Sequence, residues 1–482
     1  MAENAENAEK ADSIDNLQIP QLDNQQDKRD KKPKEKFFRN HTFTGTQVLV
    51  IGYFVVILLG TFLLTLPISS RTGEWTGFVD AMFTATSATC VTGLIVFDTY
   101  SYWTIFGQLV ILAMIQIGGI GFMTLITLIA MFVKRQIGLY ERKILMQSAG
   151  TMRLAGVVVL IRRIILLTIV CEGVGTLLLW IAFAPDMGIG KGLCYAGFHS
   201  ISAFCNAGFD LMGKFQPLSS LSRYSGNALV NLTIMGLIVM GGMGFVVYSD
   251  IYDKRFHYKK FRLHTKIALI TTTILIFIPA IIFLLLERNH ALANMGWGEA
   301  ILASLFLSVS PRTAGFNTVD LNTLTNASNL LTILLMLVGG NPGSTAGGVK
   351  TITVIVVILG TYAAARNNED ITIGKRTIPS GQVKQASALF TTYLIVLITG
   401  TLLICIAQPE MSVFKILYEA TSALGTVGVS LGITPELNAF SQLVLISMMF
   451  MGRVGAMSIA TALLAKKQNP PLKRPQEEVL LG

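Results

Sequence analysis

The stretch GGNPGSTAGGVKT at 339–351 combines clustered glycines with a Lys-Thr pair, the residue types that cradle phosphate. A phosphate loop needs G-x-x-x-x-G-K-[ST] after a strand. Gly343 and Gly348 have the inner spacing, but Val349 intrudes before Lys350 and Thr351. The flanks, LLTILLMLV and TITVIVVILG, are apolar and form no α/β unit. No nucleotide is expected on this chain.

A second set of glycines recurs in register. ATSATCVTG ends at Gly93, SISAFCNAG at Gly208, LSVSPRTAG at Gly315 and ATSALGTVG at Gly428, at spacings of 115, 107 and 113 residues. Another cluster follows each: GGIGF from Gly118, GGMGF from Gly241, GGNPGS from Gly339 and GRVGAM from Gly452, at offsets of 25, 33, 24 and 24. Four such matches define an internal repeat of about 110 residues. Loops of this kind suit a dehydrated cation, which needs many oxygen ligands without net charge. Glycine lets successive backbone carbonyls aim at one axis. The four narrow points comprise Cys90, Val91, Thr92 and Gly93; Cys205, Asn206, Ala207 and Gly208; Arg312, Thr313, Ala314 and Gly315; and Gly425, Thr426, Val427 and Gly428. None is a carboxylate, so a side-chain ring for divalent cations is not expected.

The elements that position these loops are membrane spans. Of 482 residues, 52% are hydrophobic and 14% charged, against about 25% charged in soluble domains, and the mean hydropathy is +0.59. Apolar stretches at 47–68, 106–133, 157–183, 228–248, 267–287, 329–362, 385–407 and 440–465 each reach the ~20 residues a bilayer demands. They form four pairs, with a semi-polar stretch inside each pair too short and polar to span. FVDAMFTATSA before Cys90 suits a helix of two to three turns. Non-helical backbone at membrane depth is tolerated only when buried or lining a water-filled path. The expected fold is an all-α integral membrane protein of four tandem M1–pore loop–M2 repeats, with eight transmembrane helices and four re-entrant pore helices in a pseudo-fourfold arrangement. The repeats occupy 46–133, 157–253, 266–365 and 383–465. A polar N-terminus, 1–45, and a tail, 466–482, flank them. Residues 1–27 are expected to be disordered, with no secretory signal opening the chain.

Charge sets the topology. The segments 134–163, 254–266 and 366–384 hold seven, six and four Lys/Arg, whereas the stretches within pairs hold few. The positive-inside rule puts the linkers and both termini in the cytoplasm. The basic run KRDKKPKEKFFR at 28–39 either sets topology or anchors anionic lipid. The net charge of +10 belongs to these loops and implies no nucleic acid. Cys90, Cys171, Cys194, Cys205 and Cys405 lie in or beside apolar segments without ligand spacing, so no disulfide or metal site is expected.

The motifs SAFCNAGFD, SPRTAGFNT and SALGTVG, each in a loop of a four-times-repeated chain, resemble the Ktr/Trk/HKT superfamily of potassium transporters. Within it, residues 46–465 are similar to the KtrB-type membrane subunits of bacterial Ktr systems, which lack the extra leading helix pair of Trk-type proteins. The resemblance implies K+ as the permeating ion, because all four filter positions are glycine where a serine in the first repeat would admit Na+. The K+ ligands would be backbone carbonyls of Thr92, Gly93, Asn206, Ala207, Thr313, Ala314, Thr426 and Val427. It also implies a homodimer in the bacterial cell membrane on a cytosolic nucleotide-binding ring of KtrA-type RCK subunits, with Na+ as a possible activator and no enzymatic activity.

The span 329–362 would run about 50 Å as one helix, against a core of about 30 Å. Its centre holds Pro342 and many small residues, so two half-helices with an irregular loop are expected. GGIGF and GGMGF keep an apolar residue between glycines, so those helices should only bend. The resemblance makes the loop an intramembrane gate: Gly339, Gly340, Asn341, Pro342, Gly343, Ser344, Thr345, Ala346, Gly347 and Gly348. Arg453 falls where the other repeats have Gly119, Gly242 and Gly340. It would either obstruct the path with that loop or clamp carbonyls structurally. Lys350 is a second barrier charge or points to the cytoplasm. Glu172 is a buried acid with no partner visible in sequence, serving a structural pair or transport. Asp98, Asp210, Asp320 and Glu436 follow the filter glycines, as a cation-concentrating vestibule or as solvated loop carboxylates. An alternating-access cation symporter is the competing function. Its signatures, inverted repeats and charged midplane residues, fit poorly with repeats of one orientation.

Overall fold

The computed structural model describes residues 45–121, 124, 157–368, 371–373 and 376–455. The N-terminal segment with its basic run, most of the linker 134–163, the inner end of the first repeat's second span and the tail 466–482 lie outside the described residues.

Four long apolar helices dominate: α1 (Gly45–Thr65), α4 (Val157–Met187), α8 (Leu263–Glu287) and α12 (Ser380–Ala407). Each is long and apolar enough to cross a bilayer, yet only 33% of the apolar window of α1 and 28% of the others is buried. The remainder presents residues such as Phe54, Phe62, Leu166, Leu285 and Ile398 outward. A helix apolar all round with an uncovered surface is solvated by lipid, not water.

After each long helix comes a short one: α2 (Phe78–Cys90), α5 (Ile189–Phe204), α9 (Trp297–Val309) and α13 (Val413–Gly425). At 13 or 16 residues these slightly exceed the expected two to three turns. Their C-terminal halves are buried, and α2 buries every residue from Phe83 to Cys90.

A further apolar helix follows each short one, and all four begin the same way. Thr104, Asn227, Thr325 and Asn438 accept a bond from the backbone N–H three residues on, capping α3 (Ile105–Ile120), α6 (Ala228–Gly242), α10 (Asn326–Met336) and α14 (Ala439–Val454). Each cap is worth about 1 kcal/mol. At the other end three of the four stop at glycine. Gly121 and Gly455 stand at φ +91° and +92°. Gly244, at φ +92°, separates α6 from α7 (Phe245–Asp253), and the two axes differ by 87°. The expectation that the GGMGF helix merely bends is corrected: a left-handed glycine ends the ladder, and Met243 does not bridge it.

The third repeat breaks more widely. No helix lies between Met336 and the start of α11 (Thr351–Ala365). The linker 366–384 adds a feature the all-α expectation missed, an antiparallel pair of β1 (Ile371–Ile373) and β2 (Arg376–Ile378). The alternation in ITI and RTI suits a half-buried strand, and Ile371 and Ile378 bury against Val356 and Ala386.

Candidate functional site

The short helices α2, α5, α9 and α13 converge with their C-termini, the negative ends of their dipoles, beside the recurring glycines. Two residues before each glycine a non-glycine residue is left-handed: Val91 (φ +58°), Asn206 (+60°), Thr313 (+71°) and Thr426 (+51°). The glycines follow at φ +98° for Gly93, +70° for Gly208, +82° for Gly315 and +90° for Gly428. A left-handed non-glycine residue costs roughly 1–2 kcal/mol, most for β-branched types such as Val91 and Thr426. Main-chain bonds hold this geometry. Thr92 N donates to Ser87 O at 2.8 Å, Ala207 N to Ser202 O at 2.8 Å, Ala314 N to Ser310 O at 2.9 Å and Val427 N to Ser422 O at 2.9 Å.

Those serines were not singled out in the sequence. Ser87 Oγ accepts from Gly93 N at 3.1 Å and Ser422 Oγ from Gly428 N at 3.0 Å. Ser202 donates instead to Phe209 O at 2.7 Å, and Ser310 to Phe316 O. The signal was present: serine stands six residues before the glycine in three repeats and five before it in the third.

The four loops close into a ring in chain order. A methyl group on Gly93 would lie 2.6 Å from Ala207 O, one on Gly208 2.8 Å from Ala314 O, and one on Gly315 2.8 Å from Val427 O. One on Gly428 would strike Thr92 O, returning to the first loop. Each glycine thus faces the carbonyl preceding the next glycine round the ring. No side chain fits there. Cys90, Cys205, Arg312 and Gly425 stand three residues before the glycines, all buried. All five cysteines are free.

The 337–350 loop spans from the second repeat to the fourth. Asn341 N donates to Gly242 O at 2.9 Å and Thr345 N to Gly241 O at 3.2 Å, while Phe245 N donates back to Gly343 O at 2.8 Å. Thr345 Oγ1 donates to Phe204 O at 3.2 Å. On the other side Gly348 N donates to Gly452 O at 3.2 Å. Arg453 donates to Thr345 O in this loop and to Gly118 O in the first repeat, with Gly119 O at 3.4 Å. One guanidinium therefore ties the third repeat to the first from a helix of the fourth. Lys350 neither reaches that junction nor leaves the loop. Its Nζ folds onto Ala346 O at 2.6 Å and Gly347 O at 3.3 Å.

The acids separate. Asp320 is exposed and caps the turn Leu321–Thr323, and Glu436 is exposed in another turn, so neither joins a common cluster. Asp98 accepts from Ser101 N at 2.7 Å and from Leu218 N at 3.1 Å. Asp210, half-buried in the loop beyond the ring, accepts from Met212 N at 2.9 Å. Burial pushes its carboxyl up to about 7, Asp98 adds to the rise, and the Met212 amide and Ser220 oppose it. Glu172 has a partner that sequence did not reveal, Gln116 of α3 at 3.1 Å.

Comparison with known proteins gives these features a context. A family model described as TrkH, cation transport protein, matches residues 25–471. The potassium/sodium uptake protein NtpJ of Enterococcus hirae is 38% identical over 442 residues, 90% of this chain and 97% of that one. The Ktr system potassium uptake protein B of Bacillus subtilis is 38% identical over 451 residues, 93% of this chain and 99% of the relative. The crystal structure of the potassium transporter TrkH from Vibrio parahaemolyticus superposes with a TM-score of 0.69 at 20% identity, covering 89% of this chain and 86% of that one.

Proposed function

The chain belongs to the TrkH family of cation transport proteins and is a multi-pass membrane protein, and from that premise we propose that it is a potassium uptake protein of bacterial cell membranes. K+ permeates in channel-like fashion down its electrochemical gradient. The selectivity filter is the ring formed by Cys90–Gly93, Cys205–Gly208, Arg312–Gly315 and Gly425–Gly428, with the carbonyls of Thr92, Ala207, Ala314 and Val427 among its ligands. The observation that carries this reading is the cyclic approach of each glycine to the next loop's carbonyl, Gly93 to Ala207 O through Gly428 to Thr92 O. An oxygen ring without carboxylates suits a monovalent cation. The four repeats, 46–133, 157–253, 266–365 and 383–465, each supply one loop and two spans, eight in all, with both termini cytoplasmic.

The 339–350 loop and Arg453 form the gate beneath that filter. Their bonds to Gly241, Gly242, Gly452 and Gly118 support this role, because they draw four repeats together. A homodimer resting on a KtrA-type nucleotide-binding ring, stimulated by Na+ and bounded by anionic lipid, completes the proposed assembly.

The test is Rb+ uptake into proteoliposomes with an imposed potential, which contributes about 2.3 kcal/mol per charge per 100 mV. Potential-driven Rb+ uptake well above that of Na+ is expected; equal rates for the two ions would sink the reading. Asp210 supplies a second prediction. Its carboxyl is charged above about 7 and neutral below. Raising external pH from about 6 to about 8 should increase Rb+ uptake about twofold, as the charge attracts cations to the mouth. Asp210→Asn should flatten that profile, and an unchanged profile removes Asp210 from the vestibule.

A further inference from the structure

Glu172 lies in the apolar span α4, where an ionisable side chain is costly unless its polar atoms are satisfied. Among the described residues no Lys or Arg pairs with it. Gln116 Nε2, from α3 of the preceding repeat, donates to both carboxylate oxygens, at 3.1 and 3.2 Å. An ionised carboxylate carries acceptors only. Gln116 turns its NH2 toward Glu172, which leaves its Oε1 to accept. There Cys205 Sγ donates to it at 3.6 Å, with Glu172 itself at 4.0 Å. The Ser200 hydroxyl, from α5, donates to Glu172 O at 2.7 Å and fixes the helix against the short one that ends at the ring.

Cys205 immediately precedes the left-handed Asn206 of the second loop. The same helix of the first repeat presses on it again one turn later, since a methyl group on Gly119 would lie 2.5 Å from Cys205 Sγ. Gly118 and Gly119 are also the acceptors of Arg453. The segment that receives the arginine thus carries, within one helical turn, the glutamine that orients the thiol.

We propose that Glu172 is a positioning residue for cation selectivity, acting through Gln116 on Cys205 in the second loop of the ring. The inference rests on the filter assignment above. The acceptor-only acid sets the amide orientation, the amide holds the thiol, and the thiol holds the backbone that turns at Asn206 toward the axis. Glutamine at 172 would fit the same space, but it offers Gln116 both a donor and an acceptor and removes the orientation.

The test measures the Rb+/Na+ uptake ratio of the full chain in proteoliposomes. Cys205→Val, Gln116→Leu and Glu172→Gln should each lower the ratio about threefold to tenfold, the range one hydrogen bond supports. Cys205→Ser keeps a donor and should lose less of the ratio than Cys205→Val. The pair Gln116→Leu with Cys205→Val should be no worse than either alone, because both break one chain. Ratios unchanged in all three variants would overturn the proposal, as would a loss of thermal stability without loss of selectivity, or multiplying effects in the pair. Glu172→Gln and Cys205→Ser conserve volume, so a failure of the leucine variant to fold leaves the test intact. Should the parent chain itself take up Rb+ and Na+ equally, the filter assignment falls and this inference with it. If the parent is selective and the variants keep its ratio, this inference falls alone.

Discussion

Gly93→Ser is expected to reduce the Rb+/Na+ uptake ratio at least about tenfold, with Na+ competing where it did not before. Two physical terms act together. Gly93 stands at φ +98°, a conformation that any L side chain strains, and strain of this kind costs about 1–3 kcal/mol. A Cβ there would also approach Ala207 O to 2.6 Å and Gly428 Cα to 3.3 Å. The neighbouring loops must yield, and the serine hydroxyl brings a new oxygen to a ring otherwise built of carbonyls. A ring loosened by a few tenths of an ångström no longer prefers the larger cation by ligand geometry. Competition uptake in liposomes is the readout, and unchanged selectivity takes Gly93 out of the filter.

Arg453→Ala should raise basal flux about tenfold to a hundredfold in liposomes without any cytosolic partner. The guanidinium donates to Thr345 O and Gly118 O, on two different repeats. A charge-assisted hydrogen bond contributes about 1.5–3 kcal/mol, so losing even one shifts a closed–open equilibrium by an order of magnitude. Arg453→Lys keeps the charge but not the planar fork that reaches two carbonyls at once, and its flux should fall between. Deleting 341–347 should act in the same direction as alanine. Reduced or unaltered flux from a monodisperse Arg453→Ala protein rules out the gate role.

How far these features were legible in the sequence depends on whether backbone demand or side-chain contact created them. The ring glycines were legible, because a left-handed residue facing a carbonyl admits little else. So was the break at 337–350, where Pro342 and clustered glycines defeat a helix. Val91, Thr313 and Thr426 were not, since β-branched residues are the last that local preference would place at positive φ. There the packing of four loops overrides propensity. The 87° turn after Gly242 was misjudged because Met243 suggested continuity, while Phe245, just past Gly244, is held by a bond from its N to Gly343 O of another repeat. Gln116 escaped as the partner of Glu172 because a neutral amide 56 residues away carries no charge signal. The dispersal of the acids has the same origin: Asp320 and Asp98 are occupied by local turns before any shared field can use them.

The caps at Thr104, Asn227, Thr325 and Asn438 stand at one end of the second helices, and Gly121, Gly244 and Gly455 at the other. That arrangement gives the molecule a stiff collar and a compliant base. On the proposed gate, motion that opens the path would fall at the glycine end, below the ring. A blocker approaching from the capped side therefore meets the same surface whether the path is shut or conducting. Its occupancy should report how many molecules are present, and say nothing of how many are active.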